Sequence, residues 1–96
     1  MTFLQGLARI SFMMECLRIL YLNCRGLTKQ IVLSMVHLLD ENRHDVIALA
    51  ETWHPTFLRS SRYPHLLASS PVPSRHHHAG HLPGGVTVLA RPRDHL

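Results

Sequence analysis

Two short apolar runs separated by one amphipathic segment constrain the fold more than any other feature of this sequence. Residues 17–22 and 45–50 each have the length and composition of a buried strand. Between them, apolar residues recur at helical spacing, and Thr28 before this segment is a suitable helix N-cap. A strand, a helix and a strand in this order predict a βαβ unit, whose two strands pair in parallel beneath the helix. The predicted fold class is therefore α/β.

The rest of the chain has a weaker pattern. Residues 63–68 predict a short strand, and residues 86–90 predict another because β-branched and apolar side chains alternate there. Residues 69–83 hold three prolines, a His run and Gly80, which predict a loop. Residues 1–16 show no clear pattern and no cleavable signal, so we expect a loosely ordered N-terminal extension.

Size and composition indicate one small globular domain. The chain has 96 residues, of which 46% are hydrophobic and 17% are charged, and these values are not typical of disordered proteins. No window of about 18 uninterrupted apolar residues is present, so we expect no membrane-spanning helix. Cys16 and Cys24 are too few for a disulfide framework, which favours a reducing compartment.

The charge balance permits a nucleic-acid partner. Ten Lys and Arg residues against six Asp and Glu residues give a net charge of +4, and Lys29 is the only basic residue that is not Arg. Arginine suits phosphate recognition because its planar guanidinium group can donate two parallel hydrogen bonds. Five arginines of the second half could form a phosphate-steering surface or could simply be solvated: Arg59, Arg62, Arg75, Arg91 and Arg93.

Three stretches, in this order, resemble motifs of the endonuclease/exonuclease/phosphatase superfamily. Residues 17–27 are similar to the opening strand of that family, which ends in an Asn with a Gly a few residues later, here Asn23 and Gly26. Residues 45–53 are similar to its second strand, an Asp, an apolar run and then a Glu-Thr pair. Residues 84–91 resemble the Gly-rich entry to a later strand of the same sheet. The set is most similar to the endonuclease domains of non-LTR retrotransposons.

This resemblance implies a fold and a division of the chain. The expected architecture is a truncated half of the family's four-layer α/β-sandwich, namely a βαβ unit plus further strands of one sheet. Residues 17–91 would form this partial domain, after the extension of residues 1–16 and before a short tail of residues 92–96.

The resemblance also implies a chemistry, which is Mg²⁺-dependent hydrolysis of a phosphodiester bond in DNA. Glu51 matches the metal-binding Glu of the family, and Asn23 matches the catalytic Asn that orients the phosphate. Parallel strands would place both residues at neighbouring carboxyl ends, where ligand sites of open α/β sheets tend to lie. The alternatives are a solvated carboxylate for Glu51 and a strand-end turn residue for Asn23.

Residues near these two positions are candidates for nucleic-acid contacts. Trp53 and His54 follow the candidate metal ligand, and Arg25 follows the candidate catalytic Asn. A loop Trp could stack on a base, or it could pack over the edge of the sheet. Asp45 opens the second strand, and we expect it to cap or turn the preceding loop.

The later motifs of the family, an Asp-x-Asn pair and a terminal Asp-His pair, have no match here. Asp94 is the only Asp after Glu51, and it follows the Gly-rich stretch too closely to fill the terminal position. We therefore expect a fragment of a DNA endonuclease that is inactive alone. The alternative is a non-catalytic, basic half-domain that binds nucleic acid or self-associates through an uncovered sheet face.

Two further expectations complete the sequence interpretation. The resemblance implies an intracellular location, nuclear or cytoplasmic, and no membrane partner. The run His76-His77-His78, with His81 nearby, could bind a transition metal, or it could be a solvated loop.

Overall fold

The structure is a computed structural model that describes residues 9–13, 17–71 and 83–92. In the described ranges, no helix is both long enough and apolar enough to cross a membrane. The elements in chain order are β1 (Arg9–Met13), β2 (Arg18–Asn23), α1 (Lys29–Asp40), β3 (Val46–Ala50), β4 (Leu66–Ser69) and β5 (Val86–Ala90).

The five strands form one mixed sheet in the order β1-β2-β3-β5-β4. Strands β2 and β3 pair in parallel, with Ile19 opposite Val46 and Asn23 opposite Ala50. The other three pairs are antiparallel. The described residues therefore form a small α/β domain with one helix and a parallel β2-α1-β3 unit, which confirms the predicted βαβ unit.

The helix has the boundaries that its capping residues favour. Thr28 accepts a hydrogen bond from the Ile31 backbone N–H at 3.2 Å, so it is the N-cap that the sequence predicts. At the other end, the Glu41 backbone N–H donates to the His37 carbonyl. Asn42 then turns the chain with a φ of 59°, a left-handed conformation that Asn tolerates well.

Helix α1 covers one face of the sheet, and the core lies between the two layers. Each of β2, β3 and β5 alternates buried residues with partly exposed ones. Full burial of one such aliphatic side chain contributes about 1.5 to 3 kcal/mol. The almost fully buried side chains of this core include Leu20, Leu22, Val32, Met35, Leu39, Ile47, Leu49 and Leu89.

The structure differs from the sequence predictions in the burial of the central strands and in the N-terminal residues. The uninterrupted apolar runs predict strands buried on both faces, but Ile19, Tyr21 and Ala48 on the second face are only partly buried. In the part of the chain that the structure describes, α1 packs on the other face. Residues 1–16 were expected to be a loosely ordered extension, and within them Arg9–Met13 forms β1 against β2. The open edge of β2 explains this, because its backbone groups need partners.

The second half departs from prediction at β4. The predicted strand covered residues 63–68, but residues 60–65 are mostly turns, and β4 is Leu66–Ser69. Pro64 has no backbone N–H for a ladder, and the Tyr63 N–H bonds to the Arg59 carbonyl instead. Ser69 belongs to β4 rather than to the predicted loop, whose residues 72–82 lie outside the described residues. Strand β5 confirms the prediction for residues 86–90.

Candidate functional site

Backbone hydrogen bonds bring the three motif-bearing stretches to one end of the sheet. The parallel ladder continues beyond β2 and β3, because the Gly26 N–H donates to the Glu51 carbonyl at 2.7 Å. The Trp53 N–H donates to the Gly84 carbonyl at 2.8 Å, which ties the loop after β3 to the entry of β5. We call residues 23–27, 51–54 and 84–85 the carboxyl edge, since it lies at the carboxyl ends of β2 and β3.

Asn23 supplies a buried oxygen without a partner at this edge. It is the last residue of β2 and lies opposite Ala50, one residue before Glu51. Its side-chain Oδ1 is buried and accepts no hydrogen bond from any described residue. Leaving a buried acceptor unsatisfied costs about 1 to 3 kcal/mol, so such an atom calls for a physical explanation. A bound cation or donor would supply one.

Glu51 lies on the neighbouring strand end with its carboxylate close to Trp53. The Trp53 indole Nε1–H donates to Oε2 of Glu51 at 3.3 Å. Its other carboxylate oxygen, Oε1, has no ion pair or hydrogen bond with any described residue. Glu51 is partly exposed, so this oxygen can be reached by a ligand.

The backbone of the carboxyl edge is strained. Four residues other than Gly have left-handed φ angles there: 51° at Arg25, 54° at Glu51, 60° at Trp53 and 50° at His54. Among the described residues, only Asn42 joins them in this conformation. Each such residue costs on the order of 1 kcal/mol, and strain of this kind concentrates at functional sites. Two backbone hydrogen bonds hold these conformations in place, from the Gly26 N–H to the Glu51 carbonyl and from the Trp53 N–H to the Gly84 carbonyl.

Trp53 takes the packing position that the sequence left open as an alternative. A Cβ atom on Gly26 would lie 2.6 Å from Cε3 of the Trp53 ring, so the ring packs directly on that glycine. Gly85 makes a second close approach, with its ideal Cβ position 2.5 Å from Oγ1 of Thr52. His54 Nδ1 is buried without a partner among the described residues, and Arg25 is exposed.

The donor set fits Mg²⁺ in chemical type but is small. Carboxylate and amide oxygens are the ligands that Mg²⁺ uses, commonly one or two carboxylates plus substrate phosphates. Asn23 and Glu51 provide one amide and one carboxylate. Within the described ranges, no three His, Cys, Asp or Glu residues come together as a metal-binding group. The residues present therefore fit a weak site that a phosphate group would have to complete.

Sequence reasoning missed an ion-pair cluster at the opposite end of the sheet, which we call the amino edge. It consists of Arg18 at the start of β2, Asp45 before β3 and Arg91 after β5. The Arg18 backbone N–H donates to Asp45 Oδ2 at 2.7 Å, and both guanidinium groups bond to the same carboxylate. Hydrogen bonds from Arg18, and next from Arg91, hold the pKa of Asp45 well below its usual value.

This cluster corrects two expectations. Asp45 does not simply turn the preceding loop, because it also neutralises two arginines. Arg91 is not available for phosphate steering, because it also donates to the Leu39 and His44 carbonyls, the latter at 2.7 Å. The position of one Arg and one Asp at the ends of otherwise apolar strands was the signal in the sequence.

The remaining candidate residues divide between exposed, buried and undescribed positions. Arg59 and Arg62 are exposed. The Cys24 thiol is free and buried, and burial raises its pKa to about 11. Residues 72–82 and 93–96, which include the His run and Asp94, lie outside the described residues.

Comparisons of the chain with protein-family models, with curated proteins and with solved structures found no significant match. The resemblance of residues 17–91 to the endonuclease/exonuclease/phosphatase superfamily therefore stays a prediction from the motifs. The geometry of the carboxyl edge is therefore the observation from which a function can be inferred.

Proposed function

We propose that this chain carries part of a divalent-metal-dependent phosphodiesterase site of the endonuclease/exonuclease/phosphatase type, most similar to retroelement DNA endonucleases. In this proposal the described sheet and helix correspond to the first sheet of that architecture. The chain alone binds a metal ion weakly at the carboxyl edge, because one carboxylate and one amide are few ligands for Mg²⁺. It does not cleave DNA, because the Asp-x-Asn and terminal Asp-His motifs of that superfamily have no match in this sequence.

The observation that carries the proposal is the buried Oδ1 of Asn23, which has no partner among the described residues and belongs to the residue paired with Ala50, directly before Glu51. Both residues stand at the ends of adjacent parallel strands, where open α/β sheets bind ligands. The strained backbone at Glu51 supports the same interpretation, because a folded chain keeps such strain where a fixed side-chain position is useful.

Each residue would have a distinct part in binding. Glu51 would offer its carboxylate to the cation, while the Trp53 indole fixes the orientation of that carboxylate. Asn23 would orient a phosphate oxygen or the cation through its amide group. A Mg²⁺ ion held there would neutralise charge on the phosphate oxygens.

The test is paramagnetic broadening of NMR signals by Mn²⁺, which substitutes for Mg²⁺ at oxygen sites. We expect titration to broaden the backbone amide signals of Gly26, Glu51 and Thr52 before those of the amino edge. Glu51→Gln should remove this effect, since it removes the only carboxylate of the carboxyl edge. The matched control is Glu41→Gln, which makes the same charge change at the far end of α1 and should keep the broadening.

Equal broadening in wild type and Glu51→Gln would contradict the proposed site. A plasmid-nicking assay in Mg²⁺ tests the second part of the proposal, and we expect no nicking by the chain alone. Nicking that is lost in Glu51→Gln would show that the chain is a complete enzyme and would overturn that part.

Association between two copies of the chain is a second candidate function, and the second face of the sheet favours it. Val86 on this face is 49% exposed, and Ile19, Tyr21 and Val88 are partly exposed. We expect Val86→Thr to weaken concentration-dependent association in sedimentation velocity. Leu33→Gln is the control, because Leu33 is 63% exposed on the helix. A sedimentation coefficient that does not change with concentration would exclude this candidate.

A further inference from the structure

A small cavity lies in the segment that follows the carboxyl edge. Its lining residues are Thr56, Phe57, Arg59 and Arg62, and its volume is about 240 Å³. Pockets that enclose drug-sized ligands usually measure about 300 to 1,000 Å³, so this one suits a smaller group. Two of its four lining residues are arginines and a third is a threonine, so three of the four have side chains that can donate hydrogen bonds.

The two arginines of this cavity have no acidic partner among the described residues, whereas three other described arginines are in ion pairs. Arg18 and Arg91 are neutralised by Asp45, and Arg43 contacts Glu41 at 3.2 Å. The Arg59 and Arg62 side chains have no ion pair or hydrogen bond with any described residue. Two unpaired guanidinium groups at one concave site repel each other, and a bound anion would relieve that repulsion.

The cavity also has a fixed wall and a third positive charge nearby. The Phe57 ring meets the Tyr63 ring edge to face, with 6.1 Å between the centroids. On the helix side, the Lys29 ammonium lies 5.9 Å from the centroid of the same Phe57 ring. An anion in the cavity would therefore meet a packed aromatic ring and two arginines, with the Lys29 ammonium on the same ring.

We propose that this cavity binds a phosphate group, supplied either by a nucleic-acid strand or by a free mononucleotide. The guanidinium groups of Arg59 and Arg62 donate to the phosphate oxygens, and the Thr56 hydroxyl supplies a further donor. This site is separate from Asn23 and Glu51 and needs no metal ion. If the carboxyl edge holds a scissile phosphate, the cavity holds a different phosphate of the same strand.

The test uses the full chain in EDTA, so that metal binding at the carboxyl edge cannot contribute. A fluorescent single-stranded DNA octanucleotide is titrated by anisotropy at several salt concentrations. We expect the double variant Arg59→Ala/Arg62→Ala to bind about 10-fold more weakly than wild type at low salt. Its slope of log affinity against log salt should fall by about 1.4, since each of the two lost phosphate contacts contributes about 0.7 on a single strand.

Arg43→Ala is the matched control, because it removes an exposed arginine at the far end of α1. It should leave both the affinity and the salt slope near their wild-type values. Equal losses in Arg43→Ala and in each single cavity variant would mean that net charge alone drives binding, and would overturn the proposal.

A second measurement needs no variant and separates the two sources of phosphate. We expect AMP to shift the NMR signals of the Arg59 and Arg62 Nε–H groups, and the octanucleotide to shift them at lower concentration if a strand is the ligand. A stronger response to AMP would identify a mononucleotide. If neither compound shifts these signals, the cavity does not bind phosphate, whatever the Mn²⁺ experiment shows for Glu51.

Discussion

The two ends of the central strands differ in how their polar groups are satisfied. At the amino edge, one carboxylate accepts hydrogen bonds from two arginines and from a backbone N–H. At the carboxyl edge, Asn23 Oδ1 and His54 Nδ1 are buried without partners among the described residues. Left-handed backbone concentrates at the carboxyl edge and is absent from the described residues of β2, β3 and β5.

This difference separates a stabilising region from a candidate functional one within a single sheet. Polar groups that satisfy each other add stability and leave nothing for a ligand. Polar groups that are buried, unpaired and held on strained backbone lower stability, and a ligand that pairs them recovers the loss. The predictions below test whether the two edges really differ in this way.

The largest effect is expected at Gly26, on the carboxyl edge. In Gly26→Ala the new methyl group would lie 2.6 Å from the Trp53 ring, and φ is 99°, which L-residues rarely adopt. Clash and backbone strain together should lower the free energy of unfolding by about 3 kcal/mol in urea titrations.

Gly84→Ala separates the two causes. Gly84 also has a positive φ of 84°, but a Cβ atom there would meet nothing within 4 Å. We expect a loss of only about 1 kcal/mol, from backbone strain alone. Equal losses in the two variants would show that Trp53 does not pack on Gly26 in solution.

The next largest effect is expected at Asp45, on the amino edge. Asp45→Asn removes the charge that Arg18 and Arg91 share, and the Arg91 side chain is only 14% exposed. A partly buried cation left without its partner should lower the free energy of unfolding by about 2 kcal/mol. Glu41→Gln, in a more exposed pair, should cost less than about 0.5 kcal/mol.

Asp45 also predicts a pH dependence. Because the pKa of Asp45 is lower in the folded chain than in the unfolded chain, the unfolded chain binds more protons in acid. The stability it contributes is therefore complete above about pH 5 and is lost progressively below about pH 4. Thermal melts from pH 6 to pH 2.5 should fall less steeply for Asp45→Asn than for wild type. Parallel curves would contradict the ion pairs.

The parts of the fold that the sequence predicted are those with local signals. Thr28 and the helical spacing set α1, and apolar runs set β2 and β3. Strand β1 was missed because its existence depends on the open edge of β2, a long-range cause that no local pattern reports. Strand β4 was displaced because turn formation near Tyr63 and Pro64 competes with strand propensity.

The sequence predicts where the candidate site lies, but not which hydrogen bonds and packing contacts its side chains make. Strand ends and parallel pairing place Asn23 and Glu51 at one edge, and the register confirms that placement. Whether Asn23 Oδ1 finds a partner, and whether Trp53 packs on Gly26, depends on loop conformations after the strands. Those conformations include left-handed residues other than Gly, which sequence patterns do not indicate.

At Asn23 we expect a smaller change, and one that raises the free energy of unfolding instead of lowering it. In Asn23→Leu, an apolar side chain of similar size replaces a buried oxygen that has no partner. The free energy of unfolding should rise by about 1 kcal/mol, while broadening by Mn²⁺ at the carboxyl edge should weaken. A destabilisation as large as that of Asp45→Asn would mean that the Asn23 amide has a structural partner in solution.

The last prediction concerns local unfolding of the carboxyl edge, which can be measured by labelling the Cys24 thiol and perturbs the chain least. Its thiol is buried and its pKa is raised to about 11, so the folded chain offers very little thiolate at pH 8. In a Cys16→Ser background, labelling by a disulfide reagent should therefore require local opening. Because the carboxyl edge is strained, we expect the opening free energy from labelling to be smaller than the global value from urea. It should also be smaller than the value from hydrogen exchange at the Asp45 amide, which bonds to the Arg18 carbonyl. Equal values at both edges would show that the sheet opens only as a whole, and that the strain does not weaken the candidate site locally.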